Sequence, residues 1–186
     1  MSAGWGLANS LITVFSYLLV LRFLLQAVQA DFYNPVSQYV LKFSDPVCGP
    51  IRRFFPAQGR VDIASLLLVV VLQLGFMAAY FNANGTGISA ARVIAFSGFN
   101  ITNILLNIYF VALIVMVIMS WLVIANPAAG RNPFYPITHQ IVEPLAAPVR
   151  RIIPPIGGLD LSVLVLFLGI QFAKNLNGQF WSLLVQ

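Results

Sequence analysis

The chain has 186 residues, of which 60% are hydrophobic and only 8% charged, and its formal net charge is +5. Soluble domains carry about 25% charged residues, and so much apolar surface cannot be hidden inside one small globule, so the expected solvent is lipid. A single cysteine, Cys48, excludes a disulfide framework within the chain. The Lys and Arg residues fall in short segments between apolar runs, which is the pattern of an oriented membrane protein and not of a nucleic-acid binder.

Four apolar stretches are long enough to span a bilayer: residues 7–30, 63–82, 104–125 and 159–178. At ~1.5 Å per residue, about 20 residues cross a ~30 Å hydrocarbon core. The first is expected to be an uncleaved helix, because "MSAGWGLANS" lacks a positive residue and Arg22 interrupts the apolar run. Residues 87–100, "GISAARVIAFSGFN", are apolar but too short for a separate span. They read as either a surface-lying helix or an extension of the third span.

The basic residues between spans are unevenly placed. Lys42, Arg52, Arg53 and Arg60 lie between the first and second spans, and Arg131, Arg150 and Arg151 between the third and fourth. The connection between the second and third spans holds only Arg92, and the N-terminal tail none. The positive-inside rule then puts both basic loops in the cytoplasm and both termini outside, with Trp5 and Trp181 as anchors in the outer interfacial belt.

A shift of 98 residues superimposes the two loops without a gap. "DPVCGPIRRFFPAQGRVD" (45–62) returns as "EPLAAPVRRIIPPIGGLD" (143–160), and Asn34-Pro35 returns as Asn132-Pro133. Apolar bias aliging leucines by chance would not also align prolines and an Arg-Arg pair. Two tandem units follow, 1–90 and 91–186. The fold class is an all-α membrane protein with about four transmembrane helices in two tandem parallel repeats. Each repeat is helix, amphipathic Pro/Arg-rich loop, helix, and the repeats are related by an axis near the membrane normal.

In each loop the Asn-Pro pair reads as an N-cap followed by proline at the first helical position. Val36, Tyr39, Val40 and Phe43 then recur at helical spacing, as in an interfacial amphipathic helix. Pro136 is expected to shorten or shift the second copy, and Pro46 and Pro144 to break both helices, since proline disfavours helical geometry in the preceding residue. The pairs Arg52-Arg53 and Arg150-Arg151 beside Phe54-Phe55 and Ile152-Ile153 are candidate lipid or partner contacts. They read as an interfacial anchor on anionic head groups or as a paired basic site facing an acidic partner. The expected loop-structural residues are Asp45, Pro46, Pro50, Pro56, Gly59 and Asp62 in the first copy and Glu143, Pro144, Pro148, Pro154, Gly157 and Asp160 in the second. Asp45 and Glu143 are expected to pair with the arginines, the glycines to permit turns, and Asp62 and Asp160 to cap the helices that follow.

Polar groups within the spans form a third set. Gln73 and Gln171 occupy equivalent positions and suit either helix association or a polar path. Arg22 and Lys174 have no counterpart charge, since Ser120 and Phe76 stand there. Each is a functional candidate or a snorkelling side chain, Arg22 towards the cytoplasmic face and Lys174 towards the outer one. No acidic residue lies within a span, no phosphate-binding glycine loop is present, and one His (His139) with one Cys supplies no usual zinc or bis-His haem set. No cofactor or metal is expected.

These duplicated "[DE]P…P[IV]RR…P…G…D" loops resemble the YggT family, also called YlmG-like, of small bacterial and chloroplast membrane proteins. The two-copy layout is similar to that of its Gram-negative members. The resemblance implies an inner-membrane protein connected with osmotic-stress tolerance or with cell-division and envelope processes. In photosynthetic relatives it implies a connection with haem attachment to cytochrome b6 and with nucleoid organisation. It transfers no catalytic residue. The expected function is a non-enzymatic accessory protein whose partners are anionic lipid and a membrane protein or a second copy of itself, with no direct contact to nucleic acid. The alternative is a small ion channel or transporter component lined by Asn103, Asn107, Gln73 and Gln171.

Overall fold

The computed structural model describes residues 3–57, 59–85, 89–153 and 160–183. Among them are six α-helices: α1 (Ala3–Ala27), α2 (Pro35–Arg52), α3 (Ile63–Ala83), α4 (Ala90–Ala125), α5 (Phe134–Ile152) and α6 (Leu161–Leu183), with a 3-10 turn at Pro127–Arg131 before α5. Four of them, α1, α3, α4 and α6, are long and apolar enough to cross a membrane. The chain is an all-helical protein with the makings of a multi-pass membrane protein.

Residues 90–100 belong to the extension and not to a separate surface helix, because α4 runs unbroken for 36 residues. At ~1.5 Å per residue that is about 54 Å, well beyond the ~30 Å hydrocarbon core. Its first turns pack on the end of α3, where Val93 joins Phe76 and Met77 and the Phe96 ring meets Phe81 edge-on at 5.5 Å. Residues 87 and 88 and the expected start of the fourth span at Leu159 lie outside the described residues.

Each half contributes a long helix, a shorter amphipathic helix and a second long helix. Helix α1 packs on α3, α4 on α6, and α1 and α3 both pack on α4. The core is apolar where these helices meet: Leu19, Leu24, Val69 and Ile104 between α1, α3 and α4, and Leu25, Leu113, Ile141 and Ile170 around α4, α5 and α6. The two tryptophans expected as anchors also pack within the protein. Trp5 meets Phe76 and Tyr80 edge-on, and the Trp181 ring lies against Gly98, where a Cβ would stand 2.2 Å from it. Only a glycine leaves room for that ring.

The expectation that Pro46 and Pro144 break the loop helices is corrected. Helix α2 continues through Pro46 and Pro50, and α5 through Pro144 and Pro148. Each proline removes one backbone donor to the residue four back. The prolines stand four apart, so both losses fall on one face, and all four are exposed. The carbonyls left without a helical donor therefore need no partner from the protein core. Pro136 delays α5 by one residue relative to α2. Asn34 caps α2 as expected, its Oδ1 accepting from Val36 N–H at 2.9 Å, whereas Pro133 and not Asn132 is the cap residue of α5, although Asn132 Oδ1 still accepts from Phe134 N–H at 3.0 Å.

Candidate functional site: two ion networks and the groove between the halves

The inward face of α2 is a four-residue ladder. Val40, Ser44 and Cys48 are buried, and Arg52 continues the row. The α5 row is Thr138, Val142, Ala146 and Arg150. Adjacent helical residues lie about 100° apart, so the Arg-Arg pairs split. Arg52 and Arg150 turn inward, while Arg53 and Arg151 are exposed beside the exposed Phe54 and Ile152. The four guanidinium groups do not share one basic site.

In the first half, Arg52 donates through Nε and Nη2 to the Asp62 carboxylate. Arg22, only 1% exposed, reaches the same carboxylate from α1 through Nε at 3.2 Å, and donates to Asp45 at 2.6 Å and to the Ser44 hydroxyl. One buried guanidinium thus ties α1 to α2 and to the start of α3. Asp62 is fully buried, and burial alone would raise its pKa. The hydrogen bond and charge of Arg52, with the charge of Arg22, overcome that penalty and hold the carboxyl below the usual aspartate value. Asp62 does not cap α3 with its side chain, because the arginines occupy its oxygens. Its backbone carbonyl instead accepts from Leu66 N–H and the Ser65 hydroxyl. Cys48 is buried beside this network, and desolvation pushes its thiol pKa up, away from a reactive thiolate.

The second half has one arginine for two acids. Arg150 donates from Nη1 to Glu143 at 2.7 Å and from Nε to Asp160 at 2.9 Å. Asp160 also accepts from Ser162 N–H at 3.0 Å, so here the acid does cap its helix. His139 lies 3.6 Å from Glu143, one turn away on α5. At the position corresponding to Arg22, Ser120 donates back to the Met116 carbonyl. The halves touch through the loop helices, where Asn34 Nδ2 donates to the Pro133 carbonyl at 2.8 Å and the Asp31 N–H to Gln140 at 3.1 Å.

The remaining sequence candidates fall as follows. Gly59 has φ +57°, the left-handed turn that favours glycine, and its carbonyl accepts from Gln26 at 2.6 Å. Pro56 is exposed, and Pro154 and Gly157 lie outside the described residues. Gln73 is buried, donating to Ser16 at 2.9 Å and accepting from Asn100 at 3.3 Å, so it joins three helices, whereas Gln171 is exposed. Lys174 does not reach towards the outer end. Helical side chains lean towards the helix N-terminus, and its ammonium lies 4.5 Å over the Phe110 ring. Two polar joints were not expected from the sequence: Asn107 donating to the Tyr17 hydroxyl at 2.9 Å, and Asn177 bonded to Thr102 and to the Phe99 carbonyl. Small polar residues inside apolar runs were their only signal. Among the described residues no group of His, Cys, Asp and Glu is arranged to hold a metal ion.

Between the halves lies a groove of about 1030 Å³, walled by α1 and α4 and bounded by α2 and α5. Its lining is almost entirely aliphatic and aromatic, with the Tyr17–Asn107 hydrogen bond and Thr138 as its polar features.

Four apolar helices, two proline-containing amphipathic helices and paired ion networks define a helical multi-pass membrane protein. The family model described as CCB3/YggT matches residues 1–79 and 96–181, so the chain belongs to the CCB3/YggT family. It is 41% identical over 174 residues to a Vibrio alginolyticus protein described as an uncharacterized protein in the proC 3′ region, covering 92% of this chain and 91% of that one. It is 37% identical over 164 residues to the uncharacterized protein YggT of Escherichia coli K12, covering 87% and 82%. No solved structure matches the chain.

Proposed function

We propose that this chain is a non-enzymatic accessory protein of the bacterial inner membrane, built from two tandem parallel repeats, 1–90 and 91–186. Both basic loops face the cytoplasm and both termini lie outside. Helices α2 and α5 lie along the cytoplasmic interface. The exposed arginines Arg53 and Arg151 contact anionic lipid and a membrane-protein partner or second copy, in membrane-complex assembly or osmotic-stress tolerance.

The observation that carries this reading is the identical division of labour in the two arginine pairs. In each half one arginine is spent on bracing the loop, and its neighbour is offered outward next to an exposed apolar side chain. Such a surface suits adhesion at an interface. The conduit reading has less support. Gln73, Asn107 and Asn177 are taken up in hydrogen bonds between helices, and the large groove is apolar.

The test is in-cell photo-crosslinking from positions 53 and 151, with positions 52 and 150 as inward controls. The expected result is one defined membrane-protein adduct from both outward positions and little from the inward ones. Lipid adducts alone would reduce the loops to anchors and overturn the assembly role. Ion flux in liposomes holding only this protein would replace the reading with the conduit.

A further inference from the structure

We infer that the groove between the halves is a lipid site holding the acyl chains of one anionic phospholipid from the leaflet next to α2 and α5. The inference rests on the reading that these two helices lie along the membrane interface.

The groove's depth argues for a lipid. Arg22 is held level with Asp62, the residue immediately before α3, which marks where the apolar spans begin. From Arg22 to Leu11, the groove-lining residue farthest along α1, is eleven residues, or about 16 Å at ~1.5 Å each. That is about half of a ~30 Å hydrocarbon core. A groove one leaflet deep accommodates acyl chains. A transmembrane helix from another chain or from a second copy would need a seat twice as long.

Its shape follows the relation between the halves. Val14 and Ala112, Tyr17 and Val115, and Phe43 and Ile141 are pairs 98 residues apart, and all six line the groove. Both halves thus present corresponding faces to one occupant, and two chains of one lipid match two corresponding walls. The volume of about 1030 Å³ lies at the top of the ~300–1,000 Å³ range of small-molecule sites.

Charge selects the head group. All five acidic residues of the chain lie on the loop side of the molecule, and four of them are engaged by Arg22, Arg52 and Arg150. Lys42, Arg53, Arg60, Arg131 and Arg151 are exposed on that side and make no ion pair among the described residues. Lys42 directly precedes Phe43 of the groove lining. The loop side of the molecule, where α2 and α5 bound the groove, is therefore cationic, which fits a negatively charged head group.

The test uses the full chain in phosphatidylcholine liposomes doped with phosphatidylglycerol carrying a diazirine in mid-chain, with adducts mapped by mass spectrometry. Adducts are expected to concentrate on Leu18, Phe43 and Val111, at least fivefold above those on the lipid-facing Leu168 and Phe172 of α6. Val14→Trp and Val111→Trp fill the groove from exposed positions and should abolish the excess while helix content by circular dichroism stays unchanged. The same diazirine on a choline head group should label the groove at least threefold less. Even labelling of groove and α6, equal labelling by both head groups, or a protein–protein crosslink across the groove would each overturn the inference. Adducts on the exposed faces of α2 and α5 without groove enrichment would sink the groove site alone. Absence of adducts from both helices would sink the interfacial reading beneath it.

Discussion

The two halves share their loop residues but differ in what those residues hold together. In the first half two arginines meet two aspartates and a serine, and the network spans α1, α2 and α3. In the second half one arginine serves two acids and joins only α5 to the start of α6. The difference lies chiefly in one residue of a long helix, Arg22 against Ser120, and in the serine it bonds, Ser44 against Val142. The long helices diverge in the same way. Helix α3 is fastened to α1 and α4 by Gln73, whereas α6 is fastened to α4 by Asn177 and by Trp181 set against Gly98. A duplicated loop can keep its ion pair while each helix pair finds its own polar lock. The loop pair is local, ten residues apart on one chain segment, and the helix contacts depend on every neighbour in the bundle.

Removing Arg22 should break the comparison most sharply. Stripping one partner from a buried ion pair costs about 3–5 kcal/mol, and Arg22→Ala should sit near 3 because Arg52 still neutralises Asp62. Arg150→Ala should cost no more than about 1–1.5 kcal/mol, since Glu143 and Asp160 remain 40% and 33% exposed and hydrated. Thermal unfolding of both variants in one detergent checks the ranking, and equal losses would mean the halves are braced alike.

Acid should act on the same contrast. The folded pKa of Asp62 is depressed, so its contribution is complete above the ordinary aspartate value of about 3.9 and is lost as pH falls through the folded value. Melting temperature should decline below about pH 4, and Asp62→Asn should already be destabilised at neutral pH and lose that part of the decline. An unchanged acid profile in Asp62→Asn would remove Asp62 from the account.

The α4–α6 lock has its own break point. A methyl group at Gly98 would meet the Trp181 ring well inside contact distance. Gly98→Ala should cost about 1–3 kcal/mol through the forced shift, and Trp181→Leu in the same chain should recover part of it. Ala8→Gly on the Trp5 side should change little beyond helix propensity, about 1 kcal/mol or less, because that tryptophan packs edge-on against rings.

The four long helices were legible because unbroken apolar runs of that length have few other uses. Helix α2 was legible in its start, where Asn34-Pro35 fixes the cap, and α5 to within one residue of its start, but neither in its length. The rule about residues before proline is a local preference, and it gave way where paired prolines put their missing donors on one exposed face. That Arg52 and Arg53 point apart was readable from the ladder Val40, Ser44, Cys48, whose spacing places Arg52 in the buried row. Arg22 was readable only as a charge out of place. Its partners lie 22 to 40 residues away, and α2 must fold back along α1 before Asp45 and Asp62 come within reach. The groove left no signal of its own, because lipid-facing and groove-facing positions carry the same aliphatic residues.

The smallest effect bears most directly on how far the halves have diverged. Gln73 and Gln171 are identical in type and equivalent in position, so a symmetric account would give them equal weight. Gln73 is 2% exposed and bonded at both ends of its amide, to Ser16 and Asn100. Gln171 is exposed. The residue corresponding to Ser16 on α4 is Ile114, which offers no hydroxyl. Interhelical hydrogen bonds of this kind average about 0.6 kcal/mol and reach about 1.7, so Gln73→Leu should destabilise by that order. In Gln171→Leu no bond among the described residues is lost and an amide leaves an apolar surface, so stability in detergent or bicelles should hold or rise. Equal losses in both variants would mean that Gln171 has a partner absent from the single chain, and the first place to look would be another copy packed against the outer face of α6.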